Sequence, residues 1–197
     1  MAGAYVILML LRTKIMLSIT STVIVAMSLA SFLPDQSPGK TRPATGSIYD
    51  FKIKSLDGKD IDFGQYKGKK LLIVNTASKC GKTPQYAGLE KLHEQYGGQV
   101  VVLGFPANNF LWQEPGNNAE IAEFCERNYG VKFQMLEKVS VKGKDQHPLY
   151  QWLQAKTGHR PDWNFAKYLV SEDGTRVQFF KSSVQPLDNE ILEAVSR

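Results

Sequence analysis

Leu71-Leu-Ile-Val-Asn-Thr-Ala-Ser-Lys-Cys-Gly-Lys-Thr-Pro-Gln-Tyr86 turns from apolar to polar after its first four residues. Residues 71–74 are consistent with a short buried strand, and 75–83 read as a polar loop that contains a glycine. Pro84 suits the first turn of a helix. Leu89, Leu92 and Tyr96 continue that helix at i, i+3 and i+7 until Gly97-Gly98 stops it. Residues 100–105 (VVVLGF) are a second apolar run. A strand, a helix and a strand in this order form a crossover, which pairs the two strands in parallel.

Outward from this unit the pattern alternates. Ile48, Phe51 and Ile53 lie before Asp57-Gly58, and Ile61 and Phe63 lie after it, which is a hairpin signal. Beyond the crossover a long polar loop spans 106–118. A helix over 119–129 follows, with Ile121, Phe124 and Cys125 on one face and Gly130 as its stop. A short helix is expected over 148–155, a second hairpin over 168–170 and 177–180, and a closing helix over 187–195. The expected fold class is α/β, a small mixed β-sheet flanked by helices on both faces.

The first thirty residues read as an address. They carry Arg12 and Lys14 and no acidic residue; residues 15–33 are uncharged and mostly apolar; Ser28-Leu29-Ala30 offers small residues at a cleavage site. This is the pattern of a secretory signal peptide over 1–30. An uncleaved N-terminal anchor is the alternative, because nineteen such residues are about enough to span a bilayer. Met9 would open a more typical signal than Met1. Residues 31–46, with three prolines and two glycines, read as a linker to a domain over 47–197. The domain is therefore expected to be exported, periplasmic or anchored facing the outside, touching membrane only through the N-terminal segment.

Composition narrows the function. The chain has 43% hydrophobic and 22% charged residues, which excludes a disordered tail or a polytopic membrane protein. The net charge of +5 is spread without any run of five Lys/Arg, so no nucleic-acid partner is expected. Two cysteines and three separated histidines are too few for a spaced-pair zinc site, and neither a metal nor a cofactor is expected.

Cys80 stands where a strand hands over to a helix, between Lys79, Gly81 and Lys82. A helix N-terminus and nearby lysines both favour a thiolate, hence a nucleophile. A buried inert thiol is the ordinary fate of a lone cysteine, and position alone leaves both readings open.

Three separated strings decide between them. Asn75-Thr-Ala-Ser-Lys-Cys-Gly-Lys-Thr-Pro-Gln-Tyr86 closely resembles the active-site segment NxASxCGxTxQY of glutathione peroxidases. Gly104-Phe-Pro-Ala-Asn-Asn-Phe110 with Gln113-Glu-Pro-Gly116 resembles that family's GFPxNxF…QEPG loop, and Trp163-Asn164-Phe165 its WNF motif. The resemblance runs from about Ile48 to the C-terminus. It implies a thioredoxin-like fold and a cysteine-type thiol peroxidase that attacks the O–O bond of hydrogen peroxide and organic or lipid hydroperoxides. The peroxide-reacting residue aligns with Cys80. Gln113, Trp163 and Asn164 align with the residues around it, and all three carry neutral donors suited to a developing oxyanion.

The segment around Cys125 resembles the one that holds the resolving cysteine in thioredoxin-dependent members. The resemblance thus implies a Cys80 sulfenic acid that condenses with Cys125. Phe124 and Cys125 are adjacent and point differently on a helix, which places Cys125 at the edge of the apolar stripe. The helix over 119–129 is then expected to unwind in part during turnover.

The sequence departs from the family in places. Ala107 occupies the site of a third cysteine in many relatives, Asn109 replaces a more usual Gln, and Leu111-Trp112 sits where small or polar residues are common. The extra aromatic beside Gln113 suits an apolar wall for an organic hydroperoxide. The stretch 157–162 is short where tetrameric relatives are longer, which implies a monomer. No matched set of basic residues to clamp glutathione is visible. A thioredoxin or thioredoxin-like reductant is expected, with glutathione as the alternative. A thioredoxin-fold disulfide oxidoreductase is disfavoured because position 83 is Thr and no C-x-x-C exists. The non-enzyme alternative is an exported module locked by a Cys80–Cys125 disulfide.

Overall fold

The computed structural model describes residues 46–197. The signal or anchor reading of 1–30 and the linker reading up to residue 45 lie outside them. Among the described residues no helix is long and apolar enough to cross a membrane.

The chain opens with a two-stranded antiparallel hairpin, β1 (Lys52–Lys54) and β2 (Asp60–Asp62), at the place Asp57-Gly58 marks. A five-stranded sheet follows, built from β3 (Lys70–Thr76), β4 (Val100–Pro106), β5 (Gln134–Met135), β6 (Lys167–Val170) and β7 (Val177–Phe180). Its order is β5-β4-β3-β6-β7. β3, β4 and β5 pair in parallel, while β6 and β7 run antiparallel to their neighbours. The helices are α1 (Gln85–Tyr96), α2 (Asn118–Tyr129), α3 (Pro148–Thr157) and α4 (Asn189–Ser196).

Every residue of β3 is buried, because both faces of the sheet are covered. The period-2 alternation of a strand divides its side chains. Leu71 and Ile73 join Leu103, Phe105, the hairpin and α3 in one core layer. Leu72 and Val74 join Val100, Val102, α1, α2 and α4 in the other. Helices thus cover both faces of a mixed sheet, as expected.

Two details differ from the sequence reading. β3 and β4 run on through Thr76 and Pro106, paired Asn75↔Phe105 and Thr76↔Pro106. Asn75 is polar yet stays in the sheet because the backbone on its other side is engaged too: its N–H donates to Ala166 O at 3.4 Å, and its carbonyl accepts from Phe165 N at 2.6 Å. β5 was not foreseen, since two residues at a sheet edge carry no periodicity.

Gly104 explains the glycine in the middle of the second apolar run. A β-carbon there would stand 2.3 Å from Met135 Sδ and 3.1 Å from the Phe133 ring. β5 can lie against β4 only because that position is bare. Gly104→Ala is expected to destabilise the domain by ~1–3 kcal/mol through overpacking, read as a lower urea midpoint with an unchanged slope.

Candidate active site

β3 delivers the chain to Ala77, and a tight turn brings it back into α1. Thr83 closes that turn. Its hydroxyl donates to Ala77 O at 2.9 Å and accepts from Cys80 N at 3.0 Å. Position 83 therefore holds a hydroxyl that ties both sides of the loop, where a disulfide oxidoreductase would carry its second thiol. Cys80 is half-buried, and the Lys82 N–H donates to its sulfur at 3.4 Å. The sequence reading credits the helix end with this task. The helix begins five residues later at Gln85, and Gln85 N and Tyr86 N donate to Lys82 O and Thr83 O in the turn. The amide placed at the sulfur is the loop's own.

Two distant segments meet this loop. Gln113 O accepts from Lys79 N at 2.9 Å, and Gln113 Oε1 accepts from Asn164 Nδ2 at 2.8 Å. Asn75 Nδ2 donates to Trp163 O at 3.0 Å, and the Trp163 ring packs on Phe110 with centroids 5.3 Å apart. Cys80, Gln113, Trp163 and Asn164 thus come from three loops held by one set of bonds. Among the described residues, Gln113 Nε2 and Trp163 Nε1 have no protein acceptor and remain available as donors. Asn164 differs from the expectation of a third converging donor. It is fully buried, and one N–H of its amide is given to Gln113 Oε1, which orients Gln113.

Cys125 is not brought to Cys80 in the same way. Both are free thiols. Cys125 lies in the core layer with Ile121, Tyr86 and Phe133, only 2% exposed, while Phe124 sits at the margin. The expected place at the stripe's edge is corrected here: Ile121 and Cys125 lie one turn apart, and that pair sets the inward face. Burial pushes the Cys125 thiol up to about 11, with the Tyr86 hydroxyl opposing and the Glu114 charge adding. α2 is closed at both ends, by an Asn117–Glu120 capping box and by left-handed Gly130.

Sequence reasoning assigned no part to four residues that build this site: Asn75, Ser78, Thr83 and Glu114. All stand inside the quoted motifs, and being polar where the chain must be buried was their signal. Ser78 Oγ donates to Glu114 Oε1 at 2.6 Å. Glu114 is wholly buried, which raises its carboxyl above the ordinary range, with Ser78, Lys138 and Lys79 opposing. Among the described residues no three His, Cys, Asp or Glu are grouped to hold a metal ion.

A mixed sheet of this order with a cysteine on the first β–α loop defines a thioredoxin-like redox protein. The glutathione peroxidase family model matches residues 48–154. The chain is 45% identical over 149 residues to a glutathione peroxidase of Lactococcus lactis subsp. cremoris, covering 73% of this chain and 95% of that one. It is equally identical, over 151 residues, to the glutathione peroxidase-like peroxiredoxin gpx1 of Schizosaccharomyces pombe, covering 73% and 96%. The crystal structure of Trgpx in apo form superposes with a TM-score of 0.61 at 36% identity, covering 78% of this chain and 97% of that one. The chain belongs to the glutathione peroxidase family, and it is a thiol peroxidase.

Gln113→Ala is expected to slow the reaction of the reduced protein with peroxide by ~10²-fold, the usual effect of losing one preorganised donor. Asn164→Ala, which leaves that donor in place but unsteered, is expected to lose ~10-fold. Stopped-flow measurement of peroxide consumption, with both variants checked for unchanged circular dichroism, separates the two roles.

Proposed function

We propose that Cys80 is the residue that reacts with hydroperoxide and that Cys125 resolves it. The Cys80 thiolate attacks one oxygen of the O–O bond. The sulfur becomes a sulfenic acid, and the other oxygen leaves as water or alcohol after taking a proton. The free donors of Gln113 and Trp163 stabilise the charge that passes to the leaving oxygen. Cys125 then condenses with the sulfenic acid to give a disulfide and water. An external dithiol restores both thiols. The observation that carries this reading is the double hold on Gln113, which fixes an uncharged donor against the Cys80 loop.

The cycle requires motion. A disulfide needs Cα atoms ~4.4–6.8 Å apart, and Cys125 is packed inside α2's core face. Partial unwinding of α2 supplies the approach. A disulfide held across a mobile helix suits a protein reductant that attacks an exposed bond, so a thioredoxin-like dithiol is the proposed donor. No basic clamp for glutathione supports the alternative. Leu111 and Trp112, 67% and 78% exposed beside Gln113, offer apolar surface to an organic or lipid hydroperoxide. The pattern of residues 1–30 supports export, and the short 157–162 segment supports a monomer. An exported catalyst then needs reducing equivalents delivered across the membrane.

Rapid mixing tests the scheme. Reduced protein is expected to consume about one equivalent of peroxide and lose both thiols. Cys80→Ser should abolish consumption, and Cys125→Ser should complete one turn and stall as sulfenic acid. Unchanged peroxide decay in Cys80→Ser would sink the proposal. Steady-state assays with a thioredoxin system and with glutathione, run side by side, identify the class of reductant. Hydrogen exchange should be faster across α2 in the oxidised protein than in the reduced one.

A further inference from the structure

Lys167 is a lysine with no exposed surface, the first residue of β6. Its register partner on β3 is Val74, which packs in the core layer that contains α1. Side chains directly opposite one another in a sheet share a face, so Lys167 points into that layer too. Its nitrogen meets two uncharged oxygens there, donating to Gln85 Oε1 and to Val184 O. Taking an ammonium out of water is costly, and a flexible apolar side chain such as methionine would fill the same space. What this lysine holds is therefore the question.

It holds the residue that begins α1. Gln85 is buried, and its side-chain amide is fixed at both ends: Oε1 accepts from Lys167, and Nε2 donates to Ser182 O at 3.0 Å. Ser182 is fixed in turn, since its N–H and hydroxyl both donate to the Asp162 carboxylate, at 3.0 and 2.9 Å. The backbone of Gln85 faces the other way, into the Cys80 turn, where its N–H donates to Lys82 O at 2.9 Å. The Lys82 N–H is the amide that donates to the Cys80 sulfur at 3.4 Å. An unbroken series of contacts thus runs from Lys167 through Gln85 and Lys82 to the sulfur.

We propose that Lys167 is a positioning residue for Cys80, which through Gln85 fixes the turn that presents the Lys82 amide to the sulfur. A hydrogen bond to a thiolate favours the ionised form, so a firmly placed amide makes the nucleophile available at lower pH. The inference rests on the reading of Cys80 as the residue that meets hydroperoxide. The charges facing Lys167 are Lys82 from the Cys80 turn, Asp162 from the loop before β6, and Asp188 at the start of α4. Burial, with Lys82 adding to it, brings the ammonium down to about 7, and the two aspartates oppose. Charged or neutral, the nitrogen keeps a hydrogen for each of its two acceptors, so the hold outlasts the charge.

The test is alkylation of the reduced full chain by iodoacetamide as a function of pH, with each cysteine followed by mass spectrometry. In Lys167→Met, Cys80 is expected to label ~3–10-fold more slowly at pH 7, because a thiol that loses a donor to its anion ionises at higher pH. The midpoint of the curve should move upward. The alkaline plateau should stay within about twofold of wild type, since every Cys80 is then ionised. Peroxide consumption at pH 7 should fall in the same proportion. General loosening has a different signature: it would bring the buried Cys125 into the labelled fraction.

Gln85→Met keeps the ammonium and removes only the link, so it should move the Cys80 midpoint in the same direction. An unmoved Cys80 curve in Gln85→Met overturns the proposal, including where Lys167→Met shifts the curve through its charge alone or does not fold. An unmoved curve in folded Lys167→Met overturns it equally. Wild-type Cys80 that titrates as an ordinary thiol and consumes no peroxide would remove the reading of Cys80 itself, whereas unaltered curves in the variants remove only the role of Lys167.

Discussion

Two oxygens of a single residue, Gln113, receive N–H groups from two other parts of the chain, Lys79 N and Asn164 Nδ2. The rest of the site depends on this double acceptance. Lys79 adjoins Cys80, Asn164 adjoins Trp163, and Gln113 stands between them. Each bond alone contributes only about 0.5–1.5 kcal/mol net. Together they lock three loops that β3, β4 and β6 bring to one end of the sheet. With both its oxygens occupied, Gln113 has its amide hydrogens left over. In the proposed reaction that leaves a neutral donor for the departing oxygen, without a fixed cation to pair with the sulfur.

The loop that carries Gln113 holds an unusual backbone to do so. Leu111 and Trp112 both take left-handed conformations, φ 51° and 53°, which side chains other than glycine adopt at a cost of ~1–2 kcal/mol each. Phe165, next to Asn164, is also left-handed at φ 67°. Residues on both sides of the Asn164–Gln113 bond are thus bent against their preference, and the packed core on one side and the bond itself hold them there. Strain of this kind gathers where geometry matters more than local comfort. Here it aims one amide and leaves two large apolar side chains in solvent.

The two thiols divide the chemistry by burial. Cys80 sits half-exposed in a turn with an amide donor at its sulfur, while Cys125 is sealed in the core. In the cycle proposed above, the nucleophile must meet solvent-borne peroxide, and the resolving thiol has to be withheld until the sulfenic acid exists. The caps of α2 hold its ends, so in that cycle release would fall to the middle of the helix, where Cys125 packs in the core.

Much of this was legible in the one-dimensional chain. The apolar run ending at residue 74, the proline at 84 and the second run at 100–105 determine a parallel crossover through periodicity alone, because period is a local property. The three motifs determine the family and bring Cys80, Gln113, Trp163 and Asn164 into one list. Their division of labour was not legible. That Asn164 is buried and gives an N–H to Gln113 is decided by packing, and partners 51 residues apart leave no mark in local sequence. The burial of Cys125 turned on the facing of one helix by a few tens of degrees, which adjacent Phe124 and Cys125 leave ambiguous. The link from Lys167 through Gln85 to the Cys80 turn exists only as a relation between a strand, a helix end and a turn, so it became visible only when tertiary packing put all three together.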